Sequence, residues 1–260
     1  MSGRVEIELD GPVAVLRFVN PPDGYMDEGT EAGLAEAVER VEGDPGIRAA
    51  VVTGGTPGVF VRHYDVRVLE ARGRAMRERG MRFSTDRPVP DRGTPAILGR
   101  IEASAKPWIA AINGTCMGGG FEIALACDIR FAEAGDYPIG LPEVNIGLLP
   151  GAGGTQRLPR LIGEGPALEM MLLGRTVGPE AAARLGMVSA CVEDVTAVAM
   201  ETARALAERP PLALAHVKRL VRGREGAAAE RTLFCDLMVS EDGIDRMTRM
   251  NAEGRDIGDA

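Results

Sequence analysis

Two glutamates and a run of three glycines carry the reactive chemistry of residues 106–161. Gly118, Gly119 and Gly120 lie between an apolar run and a helical pattern, where backbone can approach a ligand closely and a helix start leaves N–H groups unpaired. Such amides stabilise negative charge as it develops, so a carbonyl oxygen placed against them can become an enolate or a tetrahedral oxyanion. Glu122 follows Gly120 in the first helical turn, and Glu143 follows Leu141-Pro142 in a loop. Only a fold that returns the chain across one site brings these carboxylates together, and there they can hold a water between an acid and a base. Taken singly, each residue has an ordinary explanation: a helix N-terminus favours an acidic side chain, a loop glutamate is solvated, and glycines permit close packing.

Other familiar chemistries find no footing. Gly151-Ala152-Gly153-Gly154 lacks both the G-x-G-x-x-G spacing and the acidic residue after a second strand that dinucleotide binding requires. No G-x-x-x-x-G-K-[ST] occurs and no G-x-S-x-G, which argues against a P-loop and against a serine nucleophile of the α/β-hydrolase kind. His63, His216 and four scattered cysteines, Cys116, Cys127, Cys191 and Cys235, make no metal-ligand spacing; no metal is expected, and free thiols are. The chain carries 30 basic and 38 acidic residues, a net charge of −8 that repels nucleic acid. The arginine-rich stretch from Arg62 to Arg100 reads as a solvated helix face, since all basic residues except Lys106 and Lys218 are arginine. No apolar run is long enough to span a membrane, residues 1–20 do not look like a signal peptide, and a cytoplasmic location is expected.

The elements that must position the glutamates alternate between strand and helix. Residues 5–18 read as two strands about Asp10-Gly11, and Thr30 precedes a helix with Leu34, Ala37, Val38 and Val41 on one face. Residues 49–53 form a strand, followed by an arginine-rich helical stretch. Residues 108–112 are then a buried strand, 118–120 a loop, 121–127 a helix and 129–131 a strand, and 188–192 add another. Residues 195–206, 212–221 and 227–240 carry helical patterns. With 45% hydrophobic and 26% charged residues among 260, the expectation is an α/β core over residues 1–199 and a helical region over 200–260. Leu212, Leu214, Val217, Leu220 and Val221 form an apolar face that needs cover from the core or another subunit.

In combination, Ala110-Ala111-Ile112-Asn113-Gly114, Gly118-Gly119-Gly120-Phe121-Glu122, Leu141-Pro142-Glu143 and Pro150-Gly151-Ala152-Gly153-Gly154-Thr155-Gln156-Arg157-Leu158 resemble the enoyl-CoA hydratase/isomerase family, the crotonase superfamily. The likeness runs from Asn20-Pro21-Pro22 through residues 44–54 to the C-terminal helices. It implies a crotonase-like spiral of ββα units with a C-terminal α-helical trimerisation region, in a homotrimer or a homohexamer of two trimers. It implies an acyl-CoA substrate whose thioester oxygen is held by the backbone N–H groups of Tyr64 and Gly119, with coenzyme A part of the substrate and no separate cofactor. Gly118, Gly120, Pro142 and Gly151 fall in the same motifs and, with Arg62 and His63 beside the Tyr64 donor, are expected beside the substrate. Retention of both Glu122 and Glu143 favours hydration, in which water adds across a 2,3-double bond to give a 3-hydroxyacyl-CoA. Glu143 would supply the proton to C2 and Glu122 would deprotonate the water. Isomerisation, dehalogenation or carbon–carbon hydrolysis by the same amides, and a catalytically silent acyl-CoA-binding module, are the competing readings.

The pattern departs from the family at two places. Arg62-His63-Tyr64-Asp65 stands where the family usually reads Ala-Gly-Ala-Asp, so two large side chains replace small ones beside the acyl pocket and a plain fatty acyl substrate is placed in question. Residues 83–91 look like an inserted loop, and Phe83, Met81 or the adjacent arginines are candidates for contact with the acyl tail.

Overall fold

The first strands, β1 (Arg4–Asp10) and β2 (Val13–Val19), pair antiparallel about the turn at Asp10 and Gly11 in a computed structural model that describes residues 3–223, 225–254 and 256–259. Helix α1 (Glu28–Gly43) is capped by Asp27 and not by Thr30. The Asp27 carboxylate accepts the Thr30 N–H while the Thr30 hydroxyl accepts the Asp27 N–H, a reciprocal arrangement that satisfies two donors at the helix start. Thr30 therefore sits inside the first turn, and Leu34, Ala37, Val38 and Val41 are buried on the face the periodicity marks.

A repeated unit follows, and each repeat sends one strand to each of two sheets. The chain runs β3 (Ala49–Gly54), β4 (Val59–Val61), α2 (Val66–Glu78) and α3 (Thr94–Ala103); then β5 (Trp108–Ile112), β6 (Thr115–Met117) and α4 (Gly119–Ala126). The third repeat is β7 (Ile129–Glu133), β8 (Ile139–Gly140), a 3-10 turn at Glu143–Ile146, α5 (Gly154–Ile162) and α6 (Glu164–Leu172). It is followed by β9 (Thr176–Val177), α7 (Pro179–Leu185), β10 (Ala190–Val192), α8 (Val195–Ala207), α9 (Pro211–Gly223), α10 (Ala227–Val239) and α11 (Glu241–Glu253). The larger sheet has the order β1-β2-β3-β5-β7-β10, parallel after its first pair, and the smaller has the order β4-β6-β8-β9. This is the α/β spiral of ββα units that the sequence led one to expect.

Both faces of the larger sheet are covered, which is why β3 and β5 are buried along their whole length. Ala50, Val52, Ala110 and Ile112 face the main core, while Val51, Ile109 and Ala111 meet Val195, Ala199 and Ala203 of α8. Helix α8 is thus part of the core layering, and the boundary expected between residues 199 and 200 falls inside it. No helix among the described residues is long and apolar enough to cross a membrane.

Candidate active site

The smaller sheet places the site. Its strands β4 and β6 run parallel, and the chain leaves both at the same edge, β4 into residues 62–65 and β6 into the three glycines. Met117 N–H donates to the Arg62 carbonyl at 2.9 Å, stitching the two exits together. From the other side, Met26 N–H donates to the His63 carbonyl at 2.8 Å and Asp65 N–H to the Met26 carbonyl at 2.7 Å. A carbonyl held on one side of the His63–Tyr64 peptide turns the Tyr64 N–H the opposite way, toward Gly119. A Cβ added to Gly119 would lie 3.7 Å from the Tyr64 nitrogen. Neither the Tyr64 nor the Gly119 N–H has a hydrogen-bond acceptor among the described residues. Two donors therefore face one small volume.

The glycine run divides its labour. Gly118 starts α4 with φ of 51°, a left-handed conformation costly for other residues, and its N–H is already bonded to the Gly140 carbonyl. Gly120 faces away from the cavity, where an added Cβ would stand 2.0 Å from the Val61 carbonyl oxygen. It permits α4 to close on β4. Gly118 and Gly119 line a cavity of about 780 Å³ together with Glu122, Glu143, His63 and Tyr64.

Both carboxylates reach this cavity in different environments. Glu122 is only 3% exposed, and its Oε1 accepts N–H groups from Ala152 at 2.7 Å and Gly154 at 2.8 Å. Burial raises its pKa; those two amides and the charge of Arg157 pull in the opposite direction. Glu143, at the first position of the 3-10 turn, has a buried Oε2 without a hydrogen-bond partner among the described residues. Burial, and the negative charge of Glu122 across the cavity, push Glu143 up to about 7. One carboxylate is thus held in a nest of amides and the other lacks such partners on its buried oxygen.

His63 lies along the same wall, its Cβ 3.3 Å from the position a Cβ would take on Gly118. Its Nδ1 is 2.8 Å from the Tyr64 carbonyl, an acceptor only, so this nitrogen is the donor. Pro142 and Gly151 also line the cavity. Arg62 and Phe83 do not: Arg62 donates to the Asp23 carbonyl and lies over the Tyr25 ring, and Phe83 is 60% exposed on the surface between α2 and α3. The expected contact of the residue 83–91 loop with an acyl tail is not made by Phe83 or Met81. Instead Val66 and Leu69 of α2, Leu148 and Leu149 supply apolar wall, while Glu31, Arg72, Arg92 and Thr94 bring polar groups from α1, α2 and the start of α3. Arg72 and Arg92 belong to the arginine-rich stretch that reads as a solvated face and instead turn to the cavity, and no motif or spacing marks the others, which tertiary packing alone gathers.

A spiral of ββα units with paired carboxylates facing free amides defines a class, and comparison with known proteins identifies it. The family model for enoyl-CoA hydratase/isomerase matches residues 8–255. The chain belongs to the enoyl-CoA hydratase/isomerase family. It is 34% identical to a probable enoyl-CoA hydratase of Bacillus subtilis over 88% of this chain and 86% of that one. It is 40% identical to a peroxisomal bifunctional enzyme of Danio rerio over 76% of this chain but only 25% of that protein, so it spans about a quarter of that relative's length. Among solved structures, DspI of Pseudomonas aeruginosa superposes with a TM-score of 0.83 at 34% identity, covering 97% of this chain and 95% of that one. An enoyl-CoA hydratase from Polaromonas sp. JS666 superposes with a TM-score of 0.85 at 26% identity, covering 97% and 98%.

Proposed function

We propose that the protein is an enoyl-CoA hydratase, adding water across the 2,3-double bond of an enoyl-CoA thioester to give a 3-hydroxyacyl-CoA. The observation that carries this reading is the contrast between the two carboxylates beside the free Tyr64 and Gly119 amides. Paired titratable groups whose surroundings differ mark the acid and the base of a site. Burial raises the Glu122 pKa and the two amides oppose that rise without reversing it; as a carboxylate, Glu122 has Oε1 occupied and Oε2 left to orient a water and take its proton as the oxygen attacks C3. Electron density moves to the thioester oxygen, where the two N–H groups hold the enolate. Glu143, whose carboxyl keeps its proton up to about 7, returns a proton to C2. One water is consumed, nothing is oxidised or reduced, and the only coenzyme needed is the CoA carried by the substrate. Substrate contact is assigned to Gly118, His63, Pro142 and Gly151 on the same cavity wall.

The name of the Bacillus subtilis relative supports this choice within the family. A homotrimer or a dimer of trimers belongs to the same reading, supported by apolar side chains left open on the described chain: Leu149, Leu172, Val221, Phe234 and Val239 are each more than 60% exposed. A cytoplasmic location is also part of it, supported by Cys116 and Cys127, which are buried as free thiols. Incubation with crotonyl-CoA tests the reaction. Loss of the conjugated-thioester absorbance together with a product one water heavier is expected. Migration of the substrate's 2,3-double bond to the 3,4-position without gain of water would establish an isomerase, and tight binding without turnover a silent acyl-CoA-binding module.

A further inference from the structure

Behind the cavity lies an ion cluster that no step of hydration uses directly. Arg157 of α5 is buried, and its Nε and Nη2 donate to Glu102 Oε2 of α3 at 3.1 and 2.9 Å. Its Nη1 donates to the Ala152 carbonyl at 2.6 Å. The other oxygen of Glu102 accepts Arg222 Nη1 from α9 at 3.3 Å and faces Arg160 Nη1 at 3.6 Å. Arg222 continues through Nη2 to the Cys127 carbonyl at 2.9 Å, just past α4, and Lys218 pairs with Asp128 at 2.7 Å. Helix α9 is thereby tied to α3, α5 and the end of α4. Ala152 is where this cluster meets the chemistry, because its N–H donates to Glu122 Oε1 while its carbonyl is gripped by Arg157.

Partly buried ion clusters contribute little net stability, since desolvation cancels most of the attraction; here the cluster's contacts hold the Ala152 carbonyl through Arg157. We propose that Arg157, locked by Glu102 and backed by Arg222 of α9, is a positioning residue for Glu122. It fixes the 152–154 segment whose two amides orient the Glu122 carboxylate, so that Oε2 is presented to water at one angle. This proposal rests on the reading of Glu122 as the base for water. The charged groups around Glu122 are Arg157 from α5 and Glu143 from the 3-10 turn, with Glu102, Arg160 and Arg222 behind Arg157 and the ionisable His63 near Glu143 across the cavity. Removing the Arg157 cation and loosening the amides both favour protonated Glu122, so ionisation of the base moves to higher pH.

The test compares Arg157→Gln, Arg157→Lys and Glu102→Gln with Arg100→Ala, also on α3, which breaks an exposed pair with Glu42 of α1. Expected for Arg157→Gln is a kcat loss on the order of 10²-fold with KM within about twofold, as for a displaced catalytic group. The acidic limb of its pH–kcat profile should move upward. Arg157→Lys should recover part of the rate, Glu102→Gln should lose activity in the same sense, and Arg100→Ala should match the parent. Amide hydrogen exchange in a peptide covering residues 151–158 gives a readout without turnover, and should quicken in Arg157→Gln while other segments keep their protection. A folded Arg157→Gln with unchanged kcat, pH limb and exchange overturns the proposal, as does a rate loss that tracks global unfolding with an unmoved pH limb. Should Arg157→Gln not fold, Glu102→Gln decides by the same three measurements. A parent protein that fails to hydrate crotonyl-CoA overturns the hydratase reading instead, and local exchange alone then decides whether Arg157 holds the 152–154 segment.

Discussion

Glu122 and Glu143 differ by what surrounds each oxygen, and that difference sets the expected kinetics. Glu122→Gln and Glu143→Gln should each lower kcat by about 10²-fold or more, the range of general acid–base catalysis. Near-parental rates in both would remove them from the reaction. The sign of the pH dependence follows from Glu143. Its proton is present below about 7 and lost above it, so kcat/KM for hydration should fall as pH rises through that region, and Glu143→Gln should lack that limb. The pair was legible only through the motifs in combination and the family resemblance they carry, because the three glycines, Glu122 in a first helical turn and Glu143 in a loop each have an ordinary explanation alone. Arg62 and Phe83 show the opposite case. Their place beside the key motifs suggested substrate contact, yet cavity lining is decided by which way a side chain leaves the backbone, and both leave toward the surface. Phe83→Ala should therefore keep the acyl-chain-length preference of the parent, whereas Leu69→Ala in the cavity wall should alter it; rates on a series of enoyl-CoA chain lengths distinguish the two.

At the level of elements, the strands of the larger sheet could be read from the sequence and those of the smaller sheet could not. β3 and β5 are continuous apolar runs, the mark of parallel strands buried on both faces. β4, β6, β8 and β9 have two or three residues each, too few for a periodicity to show. Yet the smaller sheet brings residues 62–65 and the glycine run to one edge. Thr30, which reads from the sequence as preceding the helix, lies in its first turn, because in a capping box both members carry hydrogen-bonding side chains and only the backbone tells which is outside. Two glycine substitutions should separate packing from propensity. Gly120→Ala forces a Cβ within 2.0 Å of the Val61 carbonyl and should destabilise by roughly 1–3 kcal/mol or more. Gly99→Ala in α3 meets nothing within 4 Å and should stabilise by about 0.5–1 kcal/mol. Thermal unfolding midpoints should move in opposite directions.

For the molecule as a whole, the helices after α8 leave Val221 of α9 and Phe234 and Val239 of α10 open, and α9 also carries the ion cluster that reaches α5. Val221→Asp with Val239→Asp should reduce the mass measured by light scattering toward that of one chain if these faces join copies; an unchanged mass would place the contact elsewhere. The carbonyl of His63, tethered by Met26, has a consequence of another kind. The two amides that the proposed hydration assigns to the thioester oxygen come from chain segments far apart in sequence and aligned by a third, so on that reading a partly melted ensemble that frees any one of them has no receptor for the oxygen. Trp108, the single tryptophan, is fully buried in β5 at the centre of the larger sheet. Catalysis should vanish along the urea axis no later than its fluorescence shifts, and an enzyme still turning over after that shift would mean the oxygen is held by something other than these amides.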